Sequence, residues 1–189
     1  MRLTPILFAA IVGTAPAAAA PAIYTVDPNH TSFYFRIDHV GYARVWGRFN
    51  AMSGTLDFDP DAPAAGSIAL AIDPASVDTN HAERDDHLRS PDFFNAAEFP
   101  EMTFRSTGIE VTGETTAVVT GDVTLLGVTR PVALAVTYNR MAPYPFVDGQ
   151  VRVGFSASGR LVRSDFGMTY ALDALGDEVE LFLEVEAFR

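Results

Sequence analysis

Residues 178–187 alternate with period two. Val179, Leu181, Leu183, Val185 and Ala187 fall on one side, and Glu178, Glu180, Glu184 and Glu186 on the other, with Phe182 the single exception. A helix cannot sort those two sets, because its side chains repeat every 3.6 residues. A strand can, because successive side chains point to opposite faces. The segment therefore reads as a strand with one wet face and one buried face.

The same alternation recurs along the chain. Phe33, Phe35, Ile37 and His39 share a face, as do Leu56 and Phe58, and Ile68, Leu70 and Ile72. Ala117, Val119, Val123 and Leu125 form a further row, followed by Val132, Leu134, Val136 and Tyr138, and by Val151, Val153, Phe155, Ala157 and Leu161. Turn signals separate them at Asp59-Pro60, Thr112-Gly113-Glu114, Leu126-Gly127 and 142–149. One-sided strands joined by short turns predict an all-β fold, an antiparallel meander closed into a barrel of about eight strands. Ala117, Gly121, Ala157 and Gly159 on inward rows leave room that Leu would fill. Both an apolar tube with space along its axis and an ordinary filled core fit that pattern.

The chain has 189 residues and is 48% hydrophobic, enough for one domain with a real core. Its formal net charge is −11, and all thirteen basic residues are Arg. Such an acidic balance argues against nucleic acid and against electrostatic docking on anionic lipid. The absence of Cys removes disulfides, thiolate metal sites and Cys nucleophiles. Residues 1–22 read as a cleaved signal peptide: Met1-Arg2, a short apolar run over 3–12, then small residues over 15–22. That run is too short to span a bilayer. The expected product is an exported domain over 23–189.

Enzyme signatures are missing. His81, Asp85 and His87 do not make a recognised metal spacing, and no H-E-x-x-H occurs. Gly154-Phe155-Ser156-Ala157-Ser158-Gly159 is not a nucleophile elbow and reads as strand. A hydrolase is the weakest of the competing readings. A barrel with a filled core serving as a partner-binding or stress-protective module is the other alternative. Tyr34 and Phe182, aromatic on otherwise polar faces, are then candidates for a homodimer contact.

Residues 76–104 depart from the strand pattern. Asn80 with Glu83 fits a capping box, Pro91 marks a stop, and Asp85 and Arg89 are spaced as a helical pair. The predicted helix is polar on every face except at Leu88, so it needs tertiary partners. A second short helical piece is expected near 163–168.

That segment carries a resemblance. Ser76-Val77-Asp78-Thr79-Asn80-His81-Ala82-Glu83-Arg84-Asp85, His87-Leu88-Arg89-Ser90, Asp92-Phe93-Phe94-Asn95, Phe99-Pro100 and Thr103-Phe104 closely resemble the YceI-like family of periplasmic polyisoprenoid-binding proteins. His39-Val40-Gly41-Tyr42, Gly47-Arg48-Phe49, Gly54-Thr55-Leu56-Asp57-Phe58-Asp59, Gly121-Asp122-Val123-Thr124-Leu125, Gly127-Val128-Thr129-Arg130-Pro131-Val132, Asp165-Phe166-Gly167 and Gly176-Asp177-Glu178-Val179 match in the same order. The resemblance implies an extended eight-stranded antiparallel lipocalin-like β-barrel with short flanking helices. It implies a periplasmic protein with no enzyme activity and no cofactor. The implied ligand is a long isoprenoid or similar lipid, such as a quinone tail or polyprenyl phosphate, held inside the barrel. Loading from a bilayer brings transient membrane contact. Asp86 departs from the basic residue that some members carry there, which would weaken an anionic head-group contact.

For the tube, the periodic rows nominate Phe33, Phe35, Ile37, Phe49, Leu56, Phe58, Ile68, Leu70, Phe104, Val119, Val123, Leu134, Val136, Phe155, Leu181 and Leu183. Leu88, Phe93 and Phe94 join them from the polar segment. His39, Tyr42 and Trp46 are expected at the mouth, the aromatics because each joins an apolar body to a polar tip. Arg84, His87 and Arg89 are candidate head-group contacts. In the alternative, they pair with Asp85, Asp86, Asp92 or Glu98 and lock the helix to the barrel. No catalytic or metal-ligating residue is nominated.

Overall fold

The computed structural model describes residues 22–189. Of the expected leader over 1–22, residues 1–21 lie outside the described residues, while its last residue, Ala22, opens the first strand and pairs with Phe58. Eleven strand segments form one sheet. They are β1 (Ala22–Val26), β2 (Ser32–His39), β3 (Ala43–Phe49), β4 (Met52–Phe58), β5 (Ser67–Ile72), β6 (Val77–Asp78), β7 (Met102–Val111), β8 (Thr116–Leu125), β9 (Val128–Pro143), β10 (Val151–Val162) and β11 (Leu175–Phe188).

Six of these segments are halves of three bent strands. β1 and β2 both pair with β11, at Val26↔Ala187 and Ser32↔Glu184. β4 pairs with β1 while β3 pairs with β2. β5 pairs with β4 while β6 pairs with β3. The inner bends match: Asn50 N–H donates to Ser76 O at 3.1 Å, and Asp73 N–H to Ala51 O at 3.0 Å. The result is an eight-stranded antiparallel barrel. Its order follows the chain, and β11 closes it against β1 and β2.

The inward rows are those the alternation assigns, with buried Leu56, Leu70, Val119, Leu134, Val153, Leu181 and Leu183 among them. β7 escapes that reading because its pairing with β8 slips between Ser106 and Gly108. A bulge shifts the pleat by one, so Met102 and Phe104 face inward before it and Ile109 and Val111 after it.

Among the described residues one α-helix, α1 (Ala82–Arg89), lies beside the barrel. Its N-cap is His81, whose Nδ1 accepts the Arg84 N–H at 3.3 Å, and not Asn80. Asn80 takes a left-handed φ of 61° and donates its N–H to Asp78 Oδ1 at 2.9 Å, so it turns the chain out of β6 before the helix starts. The expected short helical piece is a 3-10 turn, Arg163–Phe166.

Two apolar cavities in series as the candidate functional site

The barrel interior holds two apolar cavities along its axis. The larger, about 310 Å³, lies between β2, β11 and α1. The smaller, about 170 Å³, lies toward the β4–β5 and β7–β8 turns. Leu70, Phe104, Leu134 and Leu183 line both and form a waist between them.

Most of the nominated residues lie on these walls. Phe33, Phe35, Ile37, His39, Phe49, Leu88, Phe93, Phe94, Val123 and Leu181 line the larger cavity, with Arg84 and His87 at its polar margin. Leu56, Phe58, Ile68, Val119, Val136 and Phe155 line the smaller.

Three nominated residues lie elsewhere. On β3, Val45, Gly47 and Phe49 turn inward, which puts Trp46 outside. Its ring sits 5.3 Å from Phe182, and the Arg36 guanidinium lies 5.3 Å from the one ring and 5.4 Å from the other. This stack also explains why Phe182 breaks the polar row of β11: it has neighbours within its own chain. Tyr42 stays on the rim of the mouth but off the cavity wall, 89% exposed and thrown outward by the left-handed turn at Val40 and Gly41. Arg89 points away from the cavity. Its Nε donates to Ala75 O at 2.8 Å, its Nη2 to Val77 O at 2.9 Å and its Nη1 to Asp86 at 2.8 Å.

β6 pairs with β3 only at Arg48 and Phe49, and α1 follows β6 and packs against it. Two of the expected ion pairs form, Arg89 with Asp86 and His87 with Asp92, while Asp85 and Glu98 bind other groups. Asp85, instead of meeting Arg89, is buried and accepts the N–H and O–H of Thr79. Arg84 donates Nε to Thr79 Oγ1 and Nη2 to Thr79 O, both at 2.7 Å. His87 meets Asp92 at 2.9 Å, and Glu98 accepts from Asn95. The lock is thus built mainly on backbone carbonyls and one threonine, with ion pairs in second place.

Several wall residues had no periodic signal. Tyr170 lines the mouth with its ring 5.1 Å from His87 and 5.2 Å from Phe93. Arg163 is 1% exposed and borders the larger cavity. It donates to the carbonyls of Gly176, Met168 and Tyr170 at 2.8, 3.1 and 2.8 Å. Burial pulls its pKa down and the nearby Asp177 carboxylate opposes that. Such a network depends on the path of 167–176, which sequence periodicity does not report.

Gly121 and Gly159 do not leave open space. A Cβ on Gly121 would fall 2.4 Å from Phe104 Cζ, and one on Gly159 2.6 Å from Leu134 Cδ2. Neighbouring side chains already fill those positions, and the room lies on either side of them.

A cluster at the opposite end has metal-ligand chemistry: Asp27, His30 and Glu186 converge. Arg152 already sits among them, with Nη1 2.6 Å from Asp27 Oδ2, 3.3 Å from His30 Nδ1 and in contact with Glu186 Oε1. A guanidinium that neutralises both carboxylates makes this an ion-pair network. Burial pushes the Asp27 carboxyl up, but hydrogen bonds from His30, the Asn29 N–H and Arg152 outweigh it, so the net shift is downward.

The YceI-like domain family model matches residues 24–187. Protein YceI of Escherichia coli is 41% identical over 189 residues, covering 99% of this chain and 97% of its own length. The crystal structure of BcnA from Burkholderia cenocepacia has a TM-score of 0.77 at 26% identity, covering 86% of this chain and 99% of that one. A polyisoprenoid binding domain from Saccharophagus degradans shares the fold, with a TM-score of 0.66 at 16% identity, over 87% of this chain and 97% of that one. The meander barrel, the polar helix on its flank and these matches lead to one conclusion: the chain belongs to the YceI-like domain family.

Proposed function

We propose that this protein is an exported, periplasmic carrier that holds a long isoprenoid or similar lipid, such as a quinone tail or polyprenyl phosphate, for storage or transport. The observation that carries the reading is the pair of apolar cavities in series, with His39, Arg84 and His87 on the wall of the larger one. An elongated, mostly apolar space suits a long lipid chain, and His39, Arg84 and His87 on the larger cavity offer a polar head its partners, while Asp57, Glu114, Thr115 and Thr116 border the smaller one. The fold shared with a polyisoprenoid binding domain supports a lipid ligand. On this reading the protein binds and releases its ligand and performs no reaction on it.

Burying a methylene gains about 0.8 kcal/mol relative to water, so a five-carbon unit gains roughly 3–4 kcal/mol. The bilayer that supplies the lipid is nearly as apolar as the tube, so the net preference over membrane is small. A small preference suits a carrier that must both load and unload.

Native mass spectrometry of protein taken from its own cell envelope, followed by solvent extraction, tests the reading. One lipid per chain is expected. Extracts without lipid, together with failure of apolar fluorescent probes to bind, would sink it.

A further inference from the structure

The waist between the cavities has an uncommon construction. Leu70 lies directly opposite Gly54, and Leu134 directly opposite Gly159. Phe104 leans diagonally onto Gly121, and Leu183 lies opposite Ala157. A Cβ at Gly54 would stand 2.3 Å from the Ala69 carbonyl oxygen and 2.8 Å from Leu70 Cδ2; at Gly121, 2.4 Å from the Phe104 ring and 2.7 Å from the Arg105 carbonyl oxygen; at Gly159, 2.6 Å from Leu134 Cδ2 and 2.8 Å from the Ala133 carbonyl oxygen. Carbon atoms in contact normally sit about 3.5–4.0 Å apart, so these side chains lie in volume that any other residue would occupy. Glycine weakens a strand interior, and in a sheet it often marks a close approach by another group. Here three of them serve side chains at one level of the barrel.

We propose that these seats keep the waist passable. A side chain laid sideways onto a glycine hugs the wall, whereas one pushed off it by a Cβ stands toward the axis. The seats at Gly54, Gly121, Gly159 and Ala157 therefore let a single chain thread from the larger cavity into the smaller, and they set the length of chain the protein holds. The inference rests on the carrier reading above and adds to it a length determinant whose three glycines line neither cavity.

The test measures competition of geraniol, farnesol and geranylgeraniol against a bound apolar probe. For the native protein, affinity is expected to rise at every step of the series. Gly121→Ala lifts Phe104, so geraniol should bind as before while geranylgeraniol weakens by about tenfold or more, one lost five-carbon contact being ample for that. Ala157→Val, which lifts Leu183 with no glycine replaced, should truncate the series in the same way. Phe104→Leu added to Gly121→Ala should restore it, which a general folding defect could not do. The proposal is overturned if either single variant, folded by circular dichroism, keeps the native length dependence, or if the native series stops rising at farnesol. Failure of geraniol itself to bind the native protein overturns the carrier reading and the waist with it.

Discussion

The carboxylate of Asp85 accepts both the backbone N–H and the hydroxyl of Thr79, six positions earlier in the chain. This contact ties a helix with almost no apolar face to the end of β6. Asp85→Ala should strand the Thr79 N–H and cost about 2–3 kcal/mol, the range for hydrogen bonds to a charged group. Asp85→Asn, which keeps an acceptor, should cost less. Urea unfolding of the three proteins measures both, and equal stability of native and Asp85→Ala would remove the lock from the account.

The network of Asp27, Arg152 and Glu186 gives the protein an acid limit. The Asp27 pKa is held below the ordinary 3.8 in the folded state, net of burial, by its hydrogen bonds. A carboxyl with a lowered folded pKa adds stability above its unfolded value, and that stability is lost as pH falls through the folded value. Ser164 does the same for Asp177 by donating Oγ–H and N–H. Stability should therefore decline below about pH 4, and Asp27→Asn should flatten part of that decline. Thermal unfolding between acidic and neutral pH reads the slope. Arg152→Met should cost about 2–3 kcal/mol at neutral pH by removing the cation from two carboxylates.

Trp46 is the only tryptophan, is 48% exposed, and stacks on the outer wall. Quenching of its fluorescence by acrylamide should be the same with the barrel empty and loaded. Strong protection on loading would place the ring at the mouth after all. Trp46→Ala should cost no more than about 1 kcal/mol, the scale of an exposed aromatic and cation–π stack.

Ile37 lines the larger cavity and is only partly buried. In a packed core, a larger side chain costs about 1–3 kcal/mol in strain. In a cavity it has space to enter. Ile37→Trp should keep its melting temperature within a few degrees while losing probe binding. A large drop in stability with binding intact would mean that the space is not available.

The mouth carries an apolar rim. Val40 and Tyr42 are exposed on one turn, Tyr170 and Leu172 on the next. Val40 N–H donates to Ala174 O at 2.9 Å and fastens the two turns together. Val40 holds a φ of 55°, which is unfavourable for a β-branched side chain. If this rim meets the bilayer during loading, Tyr42→Ser with Leu172→Ser should slow lipid transfer from vesicles while leaving the amount bound unchanged. An unaltered transfer rate would assign the rim no part in loading.

Alternation of apolar and polar residues was enough to give β2, β4, β5 and β8 to β11 with their inward rows, and the meander they form; β1, β3, β6 and β7 showed no such row. A strand's period of two depends only on local geometry, and a one-residue slip would expose a whole row. The ordered motifs from Ser76 onward identified the family. Other features depend on which distant residues meet. The bulge at Ser106 reverses the pleat of β7 and hides its pattern. Trp46 and Val45 are adjacent, and their assignment to outside and inside follows from the register of β3 against β2. Whether Gly121 and Gly159 made space or gave it up turned on the rings and methyls of neighbouring strands. The sequence alone determined a one-sided barrel wall. Only the tertiary structure decided where that wall leaves its interior open, because empty volume is set by how side chains from several strands lean against one another.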